Sequence, residues 1–272
     1  MSETLKYFNL TKLKSTKHQK YFEVYDELFQ KYKNKKITFV EVGLLNGGSL
    51  EIWKNFFHPD SRIIGIDFNP ECKKFEKQGY EIFIGDQSDE NFWDSFFGKI
   101  GKIDVILDDG GHTNDQQIIT TIKCAPFIND EGMIVIEDTH TSYQYEFGNP
   151  SKYSFINFSK KIIDDINYTF PKLKKFQFSL NKLIYSTEFF ESFVIFKVDR
   201  RRCKMNSELI NLGEDLKHQD YRYENSKFYY LKKKFKWLKK IKIVNFIYSI
   251  LLNYWKYFRN TSQNKKCKKY FY

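Results

Sequence analysis

Three acidic residues and two histidines draw attention because they stand directly after runs of apolar residues. Asp109 ends the run IDVILDD (103–109), and Glu137 and Asp138 end GMIVIED (132–138). Short apolar, β-branched runs of this kind read as buried parallel strands. Neighbouring parallel strands present their C-terminal ends side by side, so Asp109, Glu137 and Asp138 are expected to converge as hard oxygen ligands, the set that Mg²⁺ or a similar divalent cation prefers. Brought together without compensation, three carboxylates repel one another, which calls for a cation or for raised pKa values. A metal there would bind hydroxyl groups of a substrate and acidify one of them. His112 lies three residues past Asp109 in Asp108-Asp109-Gly110-Gly111-His112. Its imidazole can take a proton near neutral pH, which makes it the candidate catalytic base. Blander readings compete: His112 as a loop cap, Glu137 and Asp138 as a solvated strand end. Asp108 is expected in a structural role, as a cap of the next helix. His140 and Tyr143 follow the acidic pair and are candidates for contact with an acceptor, or for a packed aromatic loop.

A second group of residues could bind a nucleotide-like cofactor. The run ITFVEVG (37–43) leads into Glu41-Val42-Gly43-Leu44-Leu45-Asn46-Gly47-Gly48-Ser49. A Gly-rich turn between strand and helix lets the backbone approach a ligand closely. Glu41, Gly43, Asn46, Gly47 and Ser49 are the candidates on this loop. Asp67 ends the next strand-like run, RIIGID (62–67), where an acid can accept hydrogen bonds from ribose hydroxyls. Asp86 and Gln87 end the third, YEIFIGD (80–86), a place suited to reading an adenine edge, and Asp109 borders the same space. The loop spacing departs from the dinucleotide GxGxxG and no Walker lysine is present, which favours S-adenosylmethionine over NAD or ATP.

Elements must position these residues. Tyr21, Tyr25, Leu28 and Phe29 fall at helical spacing within 17–34. Five strand-like runs then alternate with helical segments at 70–78, 89–97 and 114–126, and KLIYSTEFFESFVIFKV (182–198) reads as two strands with a turn near Glu188–Glu191. The pattern predicts an α/β fold: a doubly wound, mostly parallel, seven-stranded Rossmann-like sheet with a basic helical C-terminal extension. The expected divisions are an N-terminal helical segment (1–35), a cofactor-binding domain (36–199), and a linker with a basic amphipathic extension (200–272).

Charge is unevenly spread. The net charge of +11 hides a mildly acidic body, because no acidic residue follows Glu224 while 14 Lys and Arg lie from Lys227 onward. Partner arguments from charge belong to that tail. Residues 243–255, IVNFIYSILLNYW, are uncharged but too short to span a bilayer, which takes about 20 helical residues. Asn245, Ser249 and Asn253 make one polar stripe, so 227–258 is expected to lie as an amphipathic helix on an anionic membrane surface. Docking on the body, or on another subunit of a homo-oligomer, is the rival. Nucleic acid is disfavoured, because the body offers no extended basic track. Four scattered cysteines without CxxC argue against a disulfide framework or a zinc site. The first residues lack the apolar run of a signal peptide, so a cytoplasmic location, peripheral at the inner membrane face, is expected.

The stretches EVGLLNGGSLEIW, IIGIDFNPEC, IGDQSDENF, DVILDDGGHTNDQQ and GMIVIEDTHTSY together resemble a family of class I S-adenosylmethionine-dependent methyltransferases, one that includes macrolide sugar O-methyltransferases and cephalosporin hydroxylase-like proteins. The resemblance covers about residues 15–198. It implies a metal-assisted methyl transfer to a hydroxyl of a sugar or glycan intermediate, as in polysaccharide biosynthesis. Asp109, Glu137 and Asp138 would be the metal ligands, His112 the general base, Gly43–Ser49 the methionine site and Asp67 the ribose site. At Glu188 the chain departs from the family's histidine. A non-catalytic scaffold on the same fold, and an RNA methyltransferase using the tail, stay open as alternatives. The intact Asp109, His112, Glu137 and Asp138 count against the first, and the lack of an Asn-Pro-Pro-Tyr motif against the second.

Overall fold

The apolar runs do form strands, and their order places the site. In the computed structural model, residues 2–147, 151–167 and 178–214 are described, together with scattered positions from 234 to 270. The chain divides into two compact units, Met1–Glu208 and Leu209–Tyr272. The strands of the first unit are β1 (Thr38–Val42), β2 (Arg62–Asp67), β3 (Glu81–Ile84), β4 (Ile103–Asp108), β5 (Ile128–Ile136), β6 (Ile184–Phe190) and β7 (Phe193–Val198). They make one sheet in the order β3-β2-β1-β4-β5-β7-β6. The first five are parallel, and the β6–β7 hairpin closes the edge with β7 antiparallel to β5.

The crossovers are α3 (Gly48–Phe56), a 3-10 stretch Pro70–Gln78, α4 (Glu90–Ile100) and α5 (Asn114–Cys124). All but α3, which starts after Gly47, carry side-chain caps that satisfy free N–H groups. Asp89 accepts from the Asn91 N–H, and Thr113 and Gln116 form a reciprocal capping box. Asp108 is not such a cap: it is 1% exposed and accepts from Gln87 and from the Gly110 N–H. Both faces of the sheet are covered. One core layer packs Tyr25, Phe29, Phe39, Trp53 and Leu107, and the other packs Trp93, Phe96, Ile106, Phe155 and Phe196. Burial of each large side chain contributes about 1.5–3 kcal/mol.

Three features depart from the sequence expectation. The helix expected over 17–34 is α2 (Tyr21–Phe29) followed by a 3-10 turn. It starts late because Lys17 is drawn into the C-terminal ends of the strands, so residues 11–20 run as an irregular strap. α6 (Phe155–Asn167) is an additional helix, whose signal was the buried set Phe155, Ile156, Ser159 and Ile162 at helical spacing. α1 (Glu3–Phe8) is the third. Six residues are too few to hold a helix alone, and this one is anchored by Asp26 on α2, whose carboxylate accepts from the Glu3 N–H (2.7 Å), the Thr4 N–H (2.9 Å) and the Thr4 hydroxyl (2.7 Å). Most of the stretch 227–258 lies outside the described residues. Among the described residues, no helix is long and apolar enough to cross a membrane.

The Asp26 anchor predicts a measurable loss. Burial works to raise its carboxyl pKa, but hydrogen bonds from Thr4, Ser2 and Glu3 outweigh burial and hold it below the usual aspartate value. Asp26→Ala should cost about 1–2 kcal/mol in urea unfolding at neutral pH. Because the folded pKa is depressed, the difference from wild type should persist above the ordinary aspartate pKa of roughly 3.9 and shrink as pH falls below it. An equal loss at pH 3 and pH 7 would contradict the anchor.

Candidate active site

In this strand order the chain reverses direction across the sheet between β1 and β4, and ligands of open α/β sheets bind in the crevice at such a point. Gly43 directly follows β1 at φ +88°, and a Cβ on it would stand 2.1 Å from the Asp109 carbonyl oxygen. The end of β1 and the start of the β4–α5 loop therefore touch at a residue that must be glycine. Asp67 sits at the end of β2 and ties the neighbouring loop down, accepting from the Leu44 N–H (2.7 Å) and the Asn69 N–H (2.8 Å). Asn46 is exposed at the loop tip.

Glu41 and Ser49 support the loop from beneath. Both are buried, and the Ser49 hydroxyl donates to Glu41 at 2.8 Å. Burial pushes the Glu41 carboxyl up to about 7, against the pull of Lys17. Asp86 folds onto its own turn, accepting from the Ser88 N–H and hydroxyl. Gln87 differs from expectation. Its amide donates to Asp108 (2.9 and 3.0 Å) and Thr120, and its carbonyl oxygen accepts from the Gly111 N–H (2.9 Å). That side chain is 5% exposed and pins the DDGGH loop, so it presents no free group to an adenine edge. Leu45 (84% exposed) and Phe68 (75%) were not singled out by sequence. The available signal was an apolar residue directly after Asp67.

At the neighbouring strand ends the acids converge. Asp109, His112 and Asp138 each offer a ligand atom, and these atoms lie within 4.8 Å of one another. His112 Nε2 is 3.6 Å from Asp138 Oδ2, and His140 Nδ1 is 3.8 Å from Asp138 Oδ1. The Tyr21 hydroxyl donates to the same Oδ1 of Asp138. Glu137, expected among the metal ligands, has both carboxylate oxygens in hydrogen bonds to neighbouring side chains. One oxygen accepts from Lys17 Nζ at 3.0 Å and the other from the Tyr25 hydroxyl at 2.6 Å. Lys17 also pairs with Asp109. Burial lowers the Lys17 pKa, but Glu137, Tyr25, Asp109 and Glu41 together raise it well above that of ordinary lysine, so the ammonium stays charged. Lys17 is the residue that sequence reasoning missed, because nothing local sets it apart from the chain's other lysines.

Backbone strain concentrates at the same place. His112 (φ 59°) and Asp138 (φ 54°) both adopt the left-handed region. Non-glycine residues there cost about 1–3 kcal/mol each and need support from their surroundings. Thr141 provides it: its hydroxyl lies 3.0 Å from the His112 carbonyl and 2.9 Å from that of Asp138. A cavity of about 780 Å³ opens beside the cluster, with His18, Tyr21, His140 and Tyr143 in its wall and Phe189–Phe193 of the hairpin closing it. Both His140 and Tyr143 therefore face a space large enough for a small-molecule ligand.

The strand order and this crevice define the class I methyltransferase fold for the first unit. Solved structures bear this out: the complex of the MycE methyltransferase of mycinamycin biosynthesis with Mg, S-adenosylhomocysteine (SAH) and mycinamycin VI superposes with a TM-score of 0.65 at 24% identity, over 79% of this chain and 57% of that one. In sequence the chain is similar to demethylmacrocin O-methyltransferase of Streptomyces fradiae, 32% identical over 134 residues, or 47% of this chain and 33% of that protein. It is also 33% identical over 131 residues to mycinamicin VI 2''-O-methyltransferase of Micromonospora griseorubida, or 46% of this chain and 32% of that protein. The matched segment thus spans about a third of these curated relatives. No family model matches the chain.

The contact between Gly43 and Asp109 predicts that Gly43→Ala will force the β1 and β4 ends apart. Binding of S-adenosylhomocysteine, followed by calorimetry, should weaken by at least about tenfold, a loss of 1.4 kcal/mol, while the far-UV dichroism stays native. Undiminished binding would place the cofactor elsewhere.

Proposed function

We propose that the protein is an S-adenosylmethionine-dependent O-methyltransferase that acts, with the help of a divalent cation such as Mg²⁺, on a hydroxyl of a sugar or glycan intermediate. One observation carries the reading: Asp109, His112 and Asp138 meet within 4.8 Å at the ends of β4 and β5, beside the Gly43 loop and under an aromatic-walled cavity. The similarity to sugar O-methyltransferases supports the same assignment. A donor set of two carboxylates fits a hard cation. The buried His112 Nδ1 has no hydrogen-bond partner, as expected of a site built for a further group. Asp109 and Asp138 would hold the ion. Gly43, Asn46, Gly47 and Asp67 would hold the donor, with the Phe68 and Leu45 side chains bordering it.

Bound S-adenosylmethionine supplies an activated methyl group, and a bound divalent ion acidifies the acceptor hydroxyl. The chain's own residues do the rest. The cavity wall at His18, His140 and Tyr143 orients the acceptor, and positioning of this kind supplies a large part of the rate. His112 takes the hydroxyl proton as the oxygen–carbon bond forms and the carbon–sulfur bond breaks. Asp138, 3.6 Å from its Nε2, stabilises the imidazolium that results. Tyr21 holds Asp138 in place from behind. For the tail, the Lys-rich, aromatic composition of 227–258 supports contact with anionic membrane, where a carrier-linked acceptor would reside.

His112→Ala should lower kcat by about 10²–10⁴-fold with donor affinity unchanged. Unchanged turnover would remove His112 as base. Exhaustive chelation should abolish transfer and added Mg²⁺ restore it, whereas full activity in chelator would contradict the ion. In salt-dependent pelleting with anionic vesicles, loss of residues 227–272 should abolish binding. Equal pelleting of both forms would remove the membrane assignment.

A further inference from the structure

The loop that leads from Asp108 to His112 is held by a residue that follows a distant strand. Gln87 lies in the turn after β3, and in the sheet β2 and β1 stand between β3 and β4. Its side chain nonetheless reaches the β4 end. The amide nitrogen donates to both Asp108 oxygens at 2.9 and 3.0 Å and to the Thr120 hydroxyl at 3.2 Å, while the amide oxygen accepts from the Gly111 N–H at 2.9 Å. These partners fix which way the amide faces, because its nitrogen only donates and its oxygen only accepts. The Gln87 backbone is fixed in turn by the buried Trp93, whose indole N–H donates to the Gln87 carbonyl at 2.9 Å. The fit is tight: a Cβ on Gly110 would stand 1.8 Å from the Gln87 amide oxygen. At the far end of the loop the His112 carbonyl accepts from Thr141 at 3.0 Å. Asp109 is tied to the sheet separately, through its N–H on the Val42 carbonyl at 2.9 Å. Release of the Gln87 tether is therefore felt beyond Asp109, over Gly110–His112.

We propose that Gln87 is a positioning residue, whose amide, bound at once to Asp108 and to the Gly111 N–H, sets the place of the His112 imidazole relative to the methyl donor. A neutral amide suits this task, since it offers a donor and an acceptor from one rigid plane. A carboxylate there would repel Asp108, and an apolar side chain would leave buried polar groups of Asp108 and Gly111 short of partners. A misplacement of about 1 Å can cost about a hundredfold in rate, so the tether acts on turnover rather than on donor affinity. The proposal rests on the methyltransferase reading above, with His112 as base.

The test reverses the polarity of the pair. Gln87→Glu keeps the side chain's length and the acceptor for Gly111 but makes the face toward Asp108 repulsive. Gln87→Glu/Asp108→Asn restores a donor–acceptor pair in the opposite sense. Full-length proteins are compared by calorimetric binding of S-adenosylhomocysteine, by the imidazole NMR signal of His112, identified by its loss in His112→Ala, and by methyl transfer from S-adenosylmethionine to a panel of hexose methyl glycosides with Mg²⁺. In Gln87→Glu the His112 signal should move and turnover fall by about tenfold or more, with S-adenosylhomocysteine affinity within about threefold of wild type. The double variant should bring signal and turnover back. If Gln87→Glu does not fold, Gln87→Met, which removes both anchoring hydrogen bonds without adding charge, should show the same losses. An unmoved His112 signal, a loss of donor-site affinity as large as the loss of turnover, or a double variant no better than Gln87→Glu would overturn the role of Gln87. Absence of methyl transfer by wild type would instead overturn the sugar-hydroxyl reading, and the His112 signal with its return in the double variant would still decide Gln87.

Discussion

Everything at the candidate site of the first unit depends on the crowding of carboxylates at the ends of two adjacent parallel strands. The register of β4 against β5 sets Asp108 beside Ile136, so the residues that follow, Asp109 on one strand and Glu137 and Asp138 on the other, leave the sheet together. Their mutual repulsion must be offset, and the surroundings are arranged to do so. Lys17 and Tyr25 take Glu137, Tyr21 takes Asp138, and the left-handed turns at His112 and Asp138 aim the remaining groups at one another.

The same constraint accounts for features that look unrelated. The strap over residues 11–20 stays irregular because its lysine serves the acidic cluster rather than a helix. α2 supplies two tyrosine hydroxyls to that cluster and, further along the same face, packs Phe29 against Phe39 and Trp53. α1, anchored on α2 through Asp26, braces the element that carries those tyrosines. Stability of the N-terminal helices and geometry of the site are thus coupled through α2, and a substitution in one is felt in the other.

The Gly43 side of the crevice is built on a different principle. Here the contacts are mostly backbone: Gly43 against the Asp109 carbonyl, Leu44 and Asn69 N–H groups on Asp67, Gly111 N–H on Gln87. Side chains that a motif reading assigns to the ligand, notably Glu41, Ser49 and Gln87, are spent on holding loops in shape. Such a division leaves a crevice between β1 and β4 framed by backbone contacts, and beside it an open space faced by His140, Tyr143 and the hairpin turn.

The sequence by itself determined the alternation of apolar runs and helices, hence the parallel sheet, the Gly-rich turn after β1, and the presence of acids at the β4 and β5 ends. These are local signals: strand-length apolar periodicity, glycine at a turn, polar residues where a strand leaves the core. Only the tertiary structure decided which way each side chain points. Gln87 and Glu137 sit at strand ends as expected, yet one is turned to Asp108 and the other to Lys17, because a buried polar group goes to whichever partner satisfies it. Lys17 lies 92 residues from Asp109 and 120 from Glu137 in the chain. A contact across that separation leaves no periodic trace, so folding alone brings the cation to the carboxylates.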